Sequence, residues 1–340
     1  MARKPVSLRD VAAVAGVSAS TASRVLNGQG RVSDATRQRI VEAAERLDFQ
    51  PNALARSLVS GRSHTIGVLA VNAPGAFVMP VLTGATTRLG EHDLSALIYD
   101  SHLDRDLLAA TVRKLRARRI DGLLVLGDGS RSGMRSVSEG FAVPVVYAYG
   151  VSDDAQDASF LHDGRLAGQI AGEHLLSLGR RRIAHITAWD YDLSARARAE
   201  GLSSALDAAG VELVLGHPLH GDWSRQWGVR AAQELLASGA PFDAVFCGND
   251  EIALGVYSVL RDAGLRVPGD VALVGMDNMS GMLGHADTLL TTIDPRLNAL
   301  GAAAADYLVA AIDGGPYEGG LHSVPCTLVL GESTALDPAA

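Results

Sequence analysis

A scatter of aromatic and polar residues in the second half of the chain has the chemistry of a sugar-binding site. Trp189 and Tyr191 follow the apolar run at Ile183–Ile186, Asn249 and Asp250 follow Phe246, and Asp277 and Asn278 follow Val274. Arg196 and Trp223 complete the set. Aromatic rings stack on the C–H faces of a sugar, while a forked guanidinium and carboxylate or amide groups take adjacent hydroxyls. Any one of these residues reads equally as a helix cap or a loop group; the set as a whole reads as a site.

Catalytic chemistry has little support. Gly127-Asp-Gly-Ser130 lacks the spacing of a dinucleotide or Walker loop and reads as a turn, and no G-x-S-x-G elbow or Ser/His/Asp order is present. Cys247 and Cys326 form no C-x-x-C and join no cluster at metal spacing, so neither a metal nor another cofactor is expected, and both cysteines read as small buried apolar residues.

The elements that must position these residues follow from periodicity. Ser7-Leu-Arg-Asp10 opens a helix with an acid three residues after its cap, and Leu8, Val11, Ala12 and Ala15 fall at helical spacing. Gly16-Val17 breaks it, Ser18 caps a second helix with Ala22, Val25 and Leu26 inward, and Ser33 caps a third that ends before Pro51. A short helix, a glycine turn and a second short helix make the helix-turn-helix unit, whose second helix enters the major groove. Pro51–Leu58 can form one more helix, too short to persist alone before Gly61.

Beyond it, apolar runs alternate with helical patterns: Ile66–Val71, Ser95–Tyr99, Gly122–Leu126, Val143–Tyr147, Ile183–Ile186, Val211–Val214, Ala244–Phe246 and Val271–Val274. Such alternation implies parallel sheets with helices on both faces, and this many units implies two similar subdomains with a cleft beyond their strand ends. The uncharged stretch from Thr65 to Thr87 is 23 residues long, near the span of a bilayer. Its Gly67, Asn72, Pro74, Gly75, Pro80 and Gly84 make it a strand, a loop and a helix start, so no membrane partner is expected.

The 340 residues are 47% hydrophobic and 20% charged, which excludes disorder and allows two or three domains. The net charge of −8 argues against a polyanionic partner until it is divided: residues 1–62 carry +5 and residues 63–340 carry −13. A basic head on an acidic body is the layout of a nucleic-acid-binding module joined to something else. The basic N-terminus lacks the apolar stretch of a secretory signal, so a cytoplasmic protein is expected.

Leu8-Arg-Asp-Val-Ala12, Ala15-Gly-Val-Ser18, Thr21-Ala-Ser-Arg-Val-Leu-Asn27, Val32-Ser33, Thr36-Arg37 and Pro51-Asn-Ala-Leu-Ala-Arg-Ser-Leu58 resemble the lactose-repressor (LacI) family of bacterial transcription regulators. Leu175–Ile183, Gly221-Asp-Trp-Ser224, Gly248-Asn-Asp250, Ala253-Leu-Gly255, Leu265-Arg-Val-Pro268, Val274-Gly-Met-Asp277 and Leu290-Thr-Thr-Ile293 extend the resemblance over nearly the whole chain. It implies base reading by Ala19, Ser20 and Arg24: Arg24 has the fork that meets guanine O6 and N7, Ser20 offers one hydrogen bond of either sense, and Ala19 offers apolar contact to a thymine methyl. Ser18, Thr21, Ser23 and Asn27 suit phosphates, and Ser18 also suits a helix cap. It further implies a minor-groove wedge at Leu58 with Ala55 beside it. It implies effector contacts at Arg196, Trp223, Asn249 and Asp277, with Phe77 from the first loop and Asp163 at the subdomain junction. Trp189 joins this set from the reading of the residues. Relatives commonly read Asn-Pro-Phe-Phe where this chain reads Gly75-Ala-Phe-Val78.

The expected fold is an all-α helix-turn-helix DNA-binding head (1–50) and hinge helix (51–62), joined to an α/β body of two doubly wound parallel-sheet subdomains like those of periplasmic binding proteins. The subdomains are expected at 63–160 with 291–322 and at 161–290 with 323–334, ahead of a tail at 335–340. The family's tetramerising C-terminal heptads are absent from Gly331–Ala340, which implies a homodimer. The expected function is a transcriptional repressor that reads a near-palindromic double-stranded operator and senses a small molecule, a sugar or sugar derivative, in the cleft. A two-lobed solute-binding protein would need export and has no use for residues 1–58, and an enzyme would need a nucleophile set against a base.

Overall fold

The structure is a computed structural model and describes residues 6–26, 32–49, 61–70, 75–101, 104–129, 133–282, 284 and 289–335. The chain divides into two compact units, Met1–His64 and Thr65–Ala340.

The first unit holds α1 (Leu8–Ala15), α2 (Ala19–Leu26) and α3 (Asp34–Arg46). Helix α1 starts where the Ser7 N–H and hydroxyl both donate to the Asp10 carboxylate, at 2.8 and 2.7 Å. It ends at Gly16, whose φ of 68° is left-handed, a turn that a side chain would strain. Ser18 accepts the Thr21 N–H at 3.1 Å and Ser33 accepts that of Thr36 at 3.3 Å, which fixes the other two helix starts. Val11, Ala22, Val25 and Ile40 meet in one small buried core. Three helices this short bury little apolar surface, so the unit's stability margin is thin.

The second unit contains two six-stranded sheets. The first uses β1 (Thr65–Ala70), β2 (Ser95–Asp100), β3 (Gly122–Leu126), β4 (Val145–Ala148), β5 (Ala158–His162) and β11 (Gly320–Val324), in the order β11-β5-β4-β3-β1-β2, all parallel. The second uses β6 (Ile183–Ala188), β7 (Leu219–Gly221), β8 (Ala244–Cys247), β9 (Ala272–Met276), β10 (Thr291–Asp294) and β12 (Thr327–Val329), in the order β12-β10-β9-β8-β6-β7. Only β12 runs antiparallel to its neighbour there. Strands β3, β6, β8 and β9 are buried along their whole length, as parallel strands covered on both faces must be.

Helices α4 (Val78–Glu91), α5 (Arg105–Ala117) and α11 (Leu297–Ile312) belong with the first sheet. Helices α6 (Gly164–Ser177), α7 (Leu193–Ala208), α8 (Arg225–Ala237) and α9 (Asp250–Asp262) belong with the second, and α10 (Met279–Met282) is a single turn. Three helix pairs touch backbone to backbone through glycine: Gly84 and Gly301 join α4 to α11, Gly168 and Gly201 join α6 to α7, and Gly228 and Gly255 join α8 to α9.

The uncharged stretch resolves into β1 and the first turns of α4, and no helix among the described residues is long and apolar enough to cross a membrane. Three expectations need correction. Val211–Val214 is not a strand; its segment ends in a single helical turn, Val214–Gly216, and the edge strand is β7 just after it. The strand at β5 was absent from the sequence reading. Residues 291–294 belong to the second subdomain, because Thr291 pairs with Val274, and β11 keeps 323 and 324 in the first, pairing Val324 with His162. The chain therefore crosses between sheets after His162, after Asp294 and after Val324. An apolar run marks a strand, but nothing local in it names the sheet it joins.

Candidate functional site

On α2 the side chains divide by helical phase. Ala22 and Val25 are buried, Ser20 and Arg24 are exposed one turn apart, and Ala19, Thr21 and Ser23 are half-buried. The Arg24 Nε–H donates to the Ser20 carbonyl at 3.4 Å, which lays the guanidinium along the exposed face. The Ser18 hydroxyl is committed to the helix start, within 2.9 Å of the Ser20 hydroxyl and 2.8 Å of that of Thr21. Asn27, Ala55 and Leu58 lie outside the described residues.

In the second unit, residues at the C-terminal ends of strands from both sheets lie close enough to sense one another's charge. Tyr149 directly follows β4, Asp277 follows β9, and Arg198 lies on α7. Burial raises the Tyr149 phenol; the charge of Asp277 raises it further and that of Arg198 opposes. Asp277 has a φ of 107°, in the left-handed region. Its carboxyl is pushed up to about 7, chiefly by burial, with Arg198 pulling it down and Asp250 pushing it up. Asp250 itself is pushed up to about 6 by burial, against the Met279 N–H and Thr292 hydroxyl that donate to it at 2.8 and 2.7 Å. One guanidinium thus stands against two carboxyls held in low-dielectric surroundings.

That guanidinium is Arg198, only 5% exposed. Its Nη1 donates to the Gly248 carbonyl at 2.6 Å, and its Cζ lies 5.1 Å from the centre of the Trp223 ring. The Trp223 backbone is tied down by Asn249, whose Nδ2 donates to the Trp223 carbonyl at 3.1 Å while its Oδ1 caps α9 through the Ile252 N–H at 2.8 Å. The Trp223 indole N–H donates to Asp192 at 3.2 Å. The structure therefore brings Trp223, Asn249 and Asp277 together.

Arg196 is not among them. It is exposed, and its Nε–H donates to the Asp190 carbonyl at the rim. Two residues apart on a helix is about 200°, so the two arginines of α7 point to opposite sides. The signal was available: Arg198 falls in the stripe of Ala195, Leu202 and Ala205, all buried, whereas Arg196 falls beside exposed Glu200 and Ser203. Tyr149 and Asp192 were also missed, since nothing local distinguishes a tyrosine or aspartate at a strand end that lies near another sheet. Phe77 packs against the core of the first sheet. Asp163 caps α6, accepting the Leu166 N–H at 2.9 Å, at the first crossing between sheets. Trp189 is exposed at the rim. Among the described residues no group of His, Cys, Asp and Glu could hold a metal ion, and Cys247 and Cys326 are both buried and free.

Comparison with known proteins joins the two halves. Residues 7–52 match the family described as bacterial regulatory proteins, lacI family, and residues 63–327 match the periplasmic binding proteins and sugar binding domain of the LacI family. The ribose operon repressor of Escherichia coli K12 is 33% identical over 307 residues, which are 90% of this chain and 93% of that protein. The lac repressor dimer bound to operator and the anti-inducer ONPF superposes with a TM-score of 0.71 at 27% identity, covering 98% of this chain and 100% of that one. The regulator CelR in complex with cellobiose gives 0.64 at 29% identity, covering 96% and 99%. A DNA-binding head and a two-sheet sugar-binding body, matched in sequence from residue 7 to residue 327 with one short gap, place the assignment beyond fold alone: the chain belongs to the LacI family of bacterial transcription regulators.

Proposed function

We propose that a homodimer of this chain represses transcription in the cytoplasm from a near-palindromic operator, and that a sugar held at the Arg198, Trp223 and Asp277 cluster sets its grip on the DNA. The observation that carries the effector half is the placing of Arg198 between a flat ring and a carboxylate, near the C-terminal ends of strands from both sheets. Trp223 stacks on a sugar's C–H face, Arg198 and Asp277 take neighbouring hydroxyls, and Asn249 keeps one amide N–H to donate. Trp189 contributes from the rim, and Phe77, Asp163 and Tyr149 stand on the first-sheet side or at the junction. In the head, Arg24, Ser20 and Ala19 face base edges while Ser18, Thr21, Ser23 and Asn27 address phosphates, and Ala55 and Leu58 of the hinge act in the minor groove. Two such heads related by a twofold axis read two half-sites of opposite sense.

A ligand between two lobes shifts their relative angle only by the difference in its affinity for the two states, about 1 to 3 kcal/mol in typical cases. Fluorescence anisotropy with a labelled operator, titrated with and without each sugar that binds, tests the proposal. A change in operator affinity of about 5- to 150-fold is expected. Unchanged affinity with every bound sugar would show that the cleft does not govern the head.

A further inference from the structure

The loop between β6 and α7 carries an aromatic surface that the cluster does not use. The rings of Trp189 and Tyr191 stack at 5.7 Å with planes 12° apart, yet they stay 40% and 67% exposed. The loop is held firmly. The Asp192 N–H donates to the Trp189 carbonyl at 3.0 Å, and Arg196 donates to the Asp190 carbonyl between them. One Asp192 oxygen caps α7 through the N–H groups of Ser194 and Ala195 at 2.8 and 3.1 Å. Its other oxygen accepts the Trp223 indole N–H at 3.2 Å.

Asp192 therefore tethers the exposed pair directly to the ring that floors the effector cluster. Trp223 has a guanidinium over its ring, and Trp189 stacks on Tyr191 while 40% of it stays exposed. Two stacking surfaces on one rigid tether suit a ligand with two flat faces in series. Asp190 and Asp192 make the rim acidic, which disfavours an anionic second ring.

We infer that the effector is a neutral disaccharide: one ring on Trp223 with its hydroxyls at Arg198 and Asp277, and the second ring on the Trp189 and Tyr191 rim. The inference rests on the sugar-binding reading of the cluster and adds the number of rings. Calorimetric titration of the full chain with matched sugars tests it, using glucose against cellobiose and maltose, and galactose against lactose. At least one disaccharide is expected to bind roughly tenfold tighter than the monosaccharide on which it is built. In Trp189→Ala that preference collapses toward parity, and in Tyr191→Ala it falls part of the way. Both positions are exposed, and thermal melts check that the variants fold. A monosaccharide that binds as tightly as every disaccharide built on it overturns the inference and leaves the sugar reading standing. So does a disaccharide preference that survives in Trp189→Ala. A change of oligomeric state in Trp189→Ala, read by sedimentation, would give the rim to a second copy of the chain and also overturn it. Binding by no sugar of either size would sink the sugar reading itself, and the inference with it.

Discussion

The guanidinium of Arg198 donates to the Gly248 carbonyl, lies over the Trp223 ring and offsets the charge of Asp277 and Asp250. Removing it strands the buried Gly248 carbonyl and takes the nearby positive charge from two carboxyls, and charge-assisted hydrogen bonds contribute about 1.5 to 3 kcal/mol each. Arg198→Ala is expected to weaken effector binding roughly 10- to 150-fold by calorimetry, whereas Arg196→Ala, at an exposed position, changes it by about twofold or less. Equal losses in both variants would remove Arg198 from its central place. Asp277 adds a pH dependence. Its carboxyl is pushed up to about 7, chiefly by burial, and a sugar hydroxyl donates more strongly to the ionised carboxylate than to the neutral acid. The free protein is mostly protonated there below pH 7, so binding releases a proton in that range. Affinity rises with pH through about 7 and levels off above it, and Asp277→Asn flattens the curve. The stability sign is opposite: a raised carboxyl favours the folded state at acid pH and loses that contribution as pH rises through about 7. Asp277→Asn should therefore melt higher than the wild type at about pH 8, measured without ligand. At this scale the sequence picked out Trp223, Asn249 and Asp277, which the structure brings together; Asn249 and Asp277 each follow a readable strand. The arginine it picked, Arg196, lies outside that cluster and Arg198 lies within it; α7 carries small residues on both sides, so its inward stripe is faint.

Glycines decide how closely the helices of the body approach. At Gly168 an added Cβ would fall on the carbonyl oxygen of Arg198, and at Gly201 on that of Arg165. Backbone cannot yield as the end of a flexible side chain does, so α6 and α7 would have to part. Overpacking of this kind costs about 1 to 3 kcal/mol. Gly168→Ala is expected to lower the melting temperature by several degrees and to weaken effector binding as well, since the displaced helix carries Arg198. A thermal melt followed by calorimetry separates the two effects, and a loss of stability with unchanged affinity would show that α7 can move without moving the site. The same geometry recurs in α4 with α11 and α8 with α9, one close-packed pair for the first sheet and two for the second. The alternation of strands and helices was readable because buried parallel strands are continuous apolar runs. The strand at β5 escaped because its Ala-Ser-Phe-Leu-His sequence is mixed, and the place of β10 escaped because a strand's partner depends on the crossover that delivers it.

At the scale of the whole chain the charge division has a thermodynamic reading. The head carries +5 and the body −13, so counterion release on DNA comes from the head, and its phosphate contacts set the slope of affinity against salt. The exposed face of α2 mixes two kinds of contact that this slope tells apart. A phosphate contact adds to binding on every sequence and to the salt slope, whereas a base contact adds only on the operator. Arg24 is exposed, lies along the helix face and has the fork that guanine requires. Replacing it should cost about 1 to 3 kcal/mol in each half-site. Arg24→Ala is therefore expected to weaken operator binding by about 5- to 150-fold per half-site while leaving affinity for random DNA and the salt slope nearly unchanged. Anisotropy titrations on both DNAs across a range of salt decide the matter. A uniform loss on operator and random DNA, with a slope lower by about one unit per head, would instead make Arg24 a phosphate contact and leave base reading to Ser20, Ala19 and the shape of the duplex.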